Sequence, residues 1–184
     1  MKLNLGSHSK KIKGEYVNVD GLAIENVDVV HNLTEYPYPF EDDSIEEILM
    51  VEVLEHISWR ETVNVLRECR RILKPGGKFH IQVPDCESMM KAYFTGGICP
   101  GVPHKPRDKK EVLEHTCDNC EGKGFVHPNR WLMALCGAQK HEFDAHLNVF
   151  TPLRLIAVLE LAGFEKIEPL EDEYKWKLKI NVFK

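Results

Sequence analysis

Short apolar stretches alternate with polar turns through the first half of the chain. Residues 2–5 read as a strand, and residues 16–19 as a second one ending at Asp20. Residues 27–33 are mostly apolar and predict a third. Residues 45–53 predict a fourth, whose continuous centre Ile48-Leu49-Met50-Val51 is the pattern of a strand covered on both faces. Residues 58–73 predict a helix. Ser58 and Glu61 have capping-box spacing, and Trp59, Val63, Leu66 and Ile72 fall on one face. Lys74-Pro75-Gly76-Gly77 stops that helix, because proline cannot continue it and glycine accepts a positive φ. Residues 78–83 predict a fifth strand, and Asp85 a cap for a short helix to about Phe94.

The pattern then breaks. Residues 95–128 are dominated by Gly, Pro, Cys, His and charge, and read as an inserted subdomain or lid in an otherwise single domain of residues 1–184. Residues 130–136 predict a short helix. Thr151-Pro152 is an N-cap followed by proline at the first helical position. Leu155, Ile156, Leu159 and Ala162 form the apolar face of that helix, and Gly163 ends it. Residues 164–169 and 174–183 predict two final strands. In the second, Trp176, Leu178, Ile180 and Val182 alternate with lysines and Asn181, so one face is solvated. Alternating strands and helices followed by a strand pair imply an α/β fold: a Rossmann-like, open, mostly parallel seven-stranded sheet with an antiparallel C-terminal strand and a Cys/His-rich insert.

Composition narrows the function classes. At 43% hydrophobic and 29% charged, the 184 residues are those of an ordinary globular domain. The net charge of -5 argues against a general basic surface, so nucleic acid is not indicated as a partner. No apolar run reaches membrane-spanning length and no signal peptide is visible, so the expectation is a cytoplasmic protein with no membrane partner. Nothing in the sequence speaks to oligomeric state. Four of the six cysteines lie between positions 99 and 136, a clustering that suggests metal rather than secreted disulfides.

Ligands of open α/β sheets bind at the carboxyl ends of the strands. Gly6, Asp20, Asn32, Glu52 and Asp85 all fall at or just past predicted strand ends. Gly6 lets a backbone approach a ligand where a Cβ would intrude, and Ser7 and Ser9 add hydroxyls. Asp20, 14 positions after Gly6, can accept from both hydroxyls of a ribose. His56, Asp85, His141 and His146 are candidate general bases.

Ordered motifs then point to a family. The chain has Asn4-Leu5-Gly6-Ser7, Gly14-Glu15-Tyr16-Val17-Asn18-Val19-Asp20, Asn32-Leu33, and Pro39-Phe40-Glu41-Asp42-Asp43-Ser44. It continues with Val53-Leu54-Glu55-His56, Leu73-Lys74-Pro75-Gly76-Gly77 and Val83-Pro84-Asp85. In this order and spacing the sequence resembles the class I S-adenosylmethionine-dependent methyltransferases, over about 140 residues that exclude the insert. The resemblance implies transfer of a methyl group from S-adenosylmethionine to an acceptor that the sequence does not identify. It implies that Gly6 and Ser7 pass under the methionine part of the cofactor and that Asp20 holds the ribose. Asn32, followed by Leu33, would stand near the adenine, and Glu52 and Val53 would line the methionine end. Two positions depart from the family pattern: His8 replaces the second glycine of the loop, and Asn32 replaces an acid. These departures motivate the alternative of a methyltransferase-like binding module, catalytically weak or inactive, whose insert contacts a partner.

Within the insert, Cys117 and Cys120 have the C-x-x-C spacing that sets two thiolates on one tetrahedral zinc, and Gly122 and Gly124 allow the turn. The stretch resembles half of a DnaJ-type zinc repeat. Cys99 is the leading third ligand, and the fourth comes from His104, His115 or His127, with His127 preferred.

Overall fold

The computed structural model describes residues 1–8, 14–94, 135–137, 139, 144–172 and 176–184. Seven strands form one sheet: β1 (Lys2–Leu5), β2 (Tyr16–Asp20), β3 (Val29–Val30), β4 (Ile45–Val51), β5 (Leu73–Pro84), β6 (Lys166–Leu170) and β7 (Lys177–Phe183). Their order is β3-β2-β1-β4-β5-β7-β6. Pairings from β3 through β5 are parallel, and β7 is antiparallel to both its neighbours. The described helices are α1 (Thr62–Ile72), α2 (Cys86–Phe94) and α3 (Pro152–Leu161), with a 3₁₀ turn at Leu54–His56. The Rossmann-like, mostly parallel sheet with an antiparallel C-terminal strand is thus observed. None of these helices is long and apolar enough to cross a membrane.

Register explains where the core lies. Leu3, Ile48, Phe79 and Val182 stand in one row across four strands, and Leu5, Met50, Ile81 and Ile180 in the next. All eight are buried, and they join Val65, Leu66 and Ile72 of α1 and Leu155 and Leu159 of α3 in one cluster. The two helices are tied side by side, with Arg67 donating to the Leu161 carbonyl at 3.3 Å and Arg70 to the Gly163 carbonyl at 2.9 Å.

The opposite face of the sheet is polar among the described residues, and Asn4 and Asn18 on it are buried. Leu49 pairs with Asn4 and His80, and these lie in register with Asn18 and Asn181. Asn4 donates to Asn18 Oδ1 at 2.9 Å, and a ring nitrogen of His80 lies 2.9 Å from Asn181 Oδ1. One row along, Glu47 pairs with Lys2 and Lys78. The neighbouring strands bring polar residues beside the apolar run of β4, so the apolar core of the described residues lies on the face that carries Ile48 and Met50. The β1–β2, β2–β3 and β3–β4 connections contain no helix among the described residues.

Other differences are local. β3 is two residues long rather than seven, because Asp28 turns back to β2: its Oδ2 accepts from the Asn18 amide at 2.9 Å. The expected capping box does not form. α1 starts at Thr62, Glu61 occupies the cap position without a side-chain bond to the helix amides, and Trp59 is 56% exposed on a preceding turn. Lys74-Pro75-Gly76-Gly77 does end α1, but strand pairing spans it: Ile45 pairs with Leu73 and Glu47 with Lys78, so the motif is extruded as a bulge around Gly76 at φ 75°. The predicted caps at the other two helices are present. Thr151 Oγ1 accepts from the Arg154 amide at 3.2 Å, and Asp85 caps α2.

Candidate functional site

Strand order reverses between β1 and β4, and the crevice at their carboxyl ends is where ligands bind in such sheets. Gly6, Asp20, Asn32, Glu52 and Asp85 all stand on that edge, each at the end of a strand or one or two residues past it.

Gly6 turns the chain at φ 68°, and both its amide and that of Ser7 donate to the Val19 carbonyl, at 2.8 and 3.1 Å. A Cβ at Gly6 would lie 2.4 Å from a methyl of Val53, so glycine is required for packing as well as for conformation. Ser7 is 4% exposed, and its hydroxyl has no hydrogen-bond partner among the described residues. His8 takes φ 43°, the left-handed conformation that the missing glycine would adopt at less cost. The turn is held by Asp20, whose Oδ2 accepts from the His8 amide at 2.8 Å and whose Oδ1 accepts from the Leu22 amide at 3.0 Å. Each oxygen keeps a second lone pair, so the carboxylate can still accept from two hydroxyls.

Asn32 lies beyond β3. Its amide oxygen already accepts from the Thr34 amide at 3.1 Å and the Thr34 hydroxyl at 3.0 Å. Its NH₂ donates to Glu35 Oε1 at 3.5 Å, so the group offers a ligand its remaining donor rather than the acceptor it would need for an adenine amino group. Leu33 is a core residue, 6% exposed, whose carbonyl accepts from the Tyr38 hydroxyl at 2.9 Å.

At the end of β4, Glu52 is a non-glycine residue at φ 57°, a strained conformation of the kind that collects at functional sites. Its carboxylate accepts from Gln82 at 3.3 Å and pairs with Lys177 at 3.3 Å. Val53 is 9% exposed and fills the space beside Gly6. Asp85 is 7% exposed. It accepts from the amides of Glu87 and Ser88 at 3.0 and 3.2 Å and from the Ser88 hydroxyl at 2.6 Å. That is a complete helix cap and leaves Asp85 poorly suited to proton transfer.

A second cluster lies just past β4. Glu55 is 2% exposed, with no partner for either carboxyl oxygen among the described residues. Burial pushes its carboxyl up to about 8, and the nearby charge of Glu52 adds to that rise. One ligand atom from each of Glu55, His56 and His146 lies within 4.8 Å of the others. The imidazoles of His56 and His146 meet edge to face at 4.8 Å. His56 Nδ1 is 3.1 Å from the Ala145 carbonyl. A carbonyl only accepts, so Nδ1 carries the hydrogen and Nε2 keeps its lone pair.

The segment bearing His146 is fixed at several points. The Leu147 and Asn148 amides donate to the Glu55 carbonyl at 2.8 and 3.0 Å, and the His146 amide to the Cys136 carbonyl at 3.1 Å. Asn148 donates to Thr62 Oγ1 at 2.8 Å and accepts from Arg154 at 3.0 Å. Sequence reasoning named His56 and His146 as separate base candidates and missed Glu55. The available signal was a second acid, three positions after Glu52, beside His56 in the largely apolar stretch from Leu49 to Ile57. The predicted metal ligands Cys99, Cys117, Cys120 and His127, and the base candidate His141, lie outside the described residues.

Comparison with known proteins agrees with this geometry. Residues 7–81 match the model of a family described as a methyltransferase domain. No curated protein matches the sequence. Among solved structures, the chain is similar to a SAM-dependent methyltransferase of Archaeoglobus fulgidus, at 12% identity and a TM-score of 0.58, over 100% of this chain and 85% of that one. It is similar to the 1,6-didemethyltoxoflavin-N1-methyltransferase of Burkholderia thailandensis, solved with bound 1,6-didemethyltoxoflavin and S-adenosylhomocysteine. There the identity is 13% and the TM-score 0.58, over 100% of this chain and 70% of the other. A Nostoc punctiforme protein assigned to the O-methyltransferases matches at 12% identity and a TM-score of 0.57, and the chain spans 51% of its length. The chain thus has the Rossmann-like methyltransferase fold, and its residues 7–81 carry the methyltransferase-domain signature that its motifs resemble.

Proposed function

We propose that this chain binds S-adenosylmethionine in the crevice between β1 and β4 and transfers its methyl group to an acceptor. The observation that carries the reading is the gathering of Gly6, Ser7, Asp20, Asn32 and Glu52 on one strand-end edge at the point where strand order reverses. The buried, partnerless hydroxyl of Ser7 beside Gly6 fits a site that a polar ligand completes.

When bound, the cofactor supplies a methyl group made electrophilic by its sulfonium. The chain's own residues bind and orient. Asp20 accepts from the ribose hydroxyls while keeping the His8 and Leu22 amides. Asn32 would donate its NH₂ to a ring nitrogen of the adenine, and Leu33 would border it. Glu52 and Val53 bound the methionine end. His56, with Nδ1 committed to the Ala145 carbonyl, can take a proton from an acceptor at Nε2. Cys99, Cys117, Cys120 and His127 are proposed as a structural zinc set for residues 95–128, on the strength of their spacing. A second reading, a methyltransferase-like binding module, is favoured by His8 at φ 43° in the place of a glycine.

Calorimetry with S-adenosylhomocysteine tests the cofactor. A dissociation constant in the micromolar range, roughly 1–100 µM, is expected. Absence of both heat and thermal shift removes the proposal and leaves the second reading.

A further inference from the structure

We infer that Glu55, His56 and His146 hold a divalent transition-metal ion of the zinc class, at a site separate from the cysteine-bearing insert. Three observations converge. The donor set is two imidazoles and one carboxylate, which suits zinc with three protein ligands and leaves a fourth position for water or an acceptor atom. The three ligand atoms already lie within 4.8 Å of one another. Zinc bonds of about 2.0–2.2 Å in tetrahedral geometry put ligand atoms about 3.4 Å apart, so the widest pair closes by roughly 1.4 Å through side-chain rotation.

The second observation is Glu55 itself. A carboxyl that is 2% exposed and has no partner among the described residues is costly, and an ion or water is what satisfies such a group. The third is His56. Its Nδ1–H points at the Ala145 carbonyl, the outer-shell bond that orients a metal-ligating imidazole; Nε2 then ligates the ion, and His56 serves as a proton acceptor only in the metal-free chain. The adjoining cavity, lined by Glu55, Cys86, Leu135, His146 and Asn148, is about 10 Å³, room for about one water-sized sphere. The inference does not rest on cofactor binding.

The test is a Co²⁺ titration of the full chain carrying Cys117→Ser and Cys120→Ser, stripped with chelator. One equivalent is expected to bind with visible d–d absorption and without a thiolate-to-cobalt charge-transfer band. Glu55→Gln and His146→Ala should each weaken binding by at least about tenfold, the lower range seen for outer-shell changes. In the otherwise wild-type chain, each should lower zinc content by one equivalent by mass spectrometry, which decides the matter if the double cysteine variant does not fold. Glu55→Gln is isosteric, and thermal unfolding in chelator checks that both variants fold. Metal content unchanged by both substitutions, or lost with the cysteines alone, overturns the inference. Calorimetry with S-adenosylhomocysteine should be unaffected by His146→Ala, so failure of the metal site and failure of the cofactor reading give different results.

Discussion

Asp20, at the end of β2, accepts from backbone amides at both its oxygens, whereas Glu55, just past β4, is buried with neither oxygen partnered among the described residues. Both are carboxylates on the ligand edge of one sheet. Asp20 is short and half-exposed, and two turns present their amides to it. It therefore builds its loop first and has lone pairs to spare. Glu55 hangs from a 3₁₀ turn whose backbone carbonyl ties down residues 147 and 148 while its side chain is buried beside His56 and His146. The difference separates a group that holds a binding loop in shape from a group whose own cost calls for a ligand.

Asp20→Ala should break this contrast most severely. It removes two charge-assisted bonds to the loop and the acceptor proposed for the ribose. Hydrogen bonds to a charged group contribute about 1.5–3 kcal/mol each, so affinity for S-adenosylhomocysteine should fall by at least about 100-fold in calorimetry. Metal content should be unchanged. Wild-type affinity in this variant would confine Asp20 to a structural role.

Gly6→Ala probes the same wall through packing. The new methyl would overlap Val53, and the residue would be held at φ 68°. Left-handed backbone costs about 1–2 kcal/mol and overpacking about 1–3, so denaturant unfolding should show a loss of roughly 2–5 kcal/mol. The double variant Gly6→Ala/Val53→Ala should recover the packing part and keep the conformational part. If it recovers nothing, Val53 is not what requires glycine at position 6.

The unequal legibility of the two carboxylates follows from their surroundings. Asp20 closes a strand pattern, Tyr16-Val17-Asn18-Val19, so its place at the sheet edge was readable, as were those of Gly6, Asn32, Glu52 and Asp85. Helix caps at Asp85 and Thr151 were readable because capping is local. The polar face of the sheet was not, because it depends on which residues of β1, β2, β5 and β7 stand beside Leu49 and Glu47. Glu55 was hidden for the same reason. Its environment is made by residues 144–148, some 90 positions away, and no local pattern encodes that contact. Asn32 does stand on the strand-end edge, but the bonds that occupy its oxygen come from Thr34.

Glu68 offers an intermediate case: a largely buried carboxylate supplied with its cation. Its oxygens accept from Arg71 at 2.6 and 3.0 Å and from the Tyr38 amide at 2.6 Å. The Arg71 hydrogen bonds hold the carboxyl below its ordinary value of 4.5. The folded form therefore binds its proton less readily than the unfolded one. The resulting stability is fully present above pH 4.5 and is lost as pH falls through the folded value. Glu68→Gln should cost about 1–2 kcal/mol at neutral pH and should make stability less steep below pH 4.5. An unchanged acid limb in denaturant titrations would show that Arg71 stabilises the folded carboxylate no more than water does.

His8→Gly is the mildest change and acts on the loop that Asp20 holds. Relief of the left-handed conformation gains about 1–2 kcal/mol, and the extra freedom of glycine in the unfolded chain returns about 0.5–1 of it. A net gain near 0.5 kcal/mol raises Tm by about 1–2 °C in a chain of this size. The amide that donates to Asp20 survives the substitution, so the clamp remains and a looser side chain borders the crevice. Affinity for S-adenosylhomocysteine should rise about twofold if the imidazole only occupies a glycine's place. A fall in affinity would mean that the imidazole contributes to the ligand site, and the departure from the family pattern at this position would then be a specialisation of the site rather than its weakening.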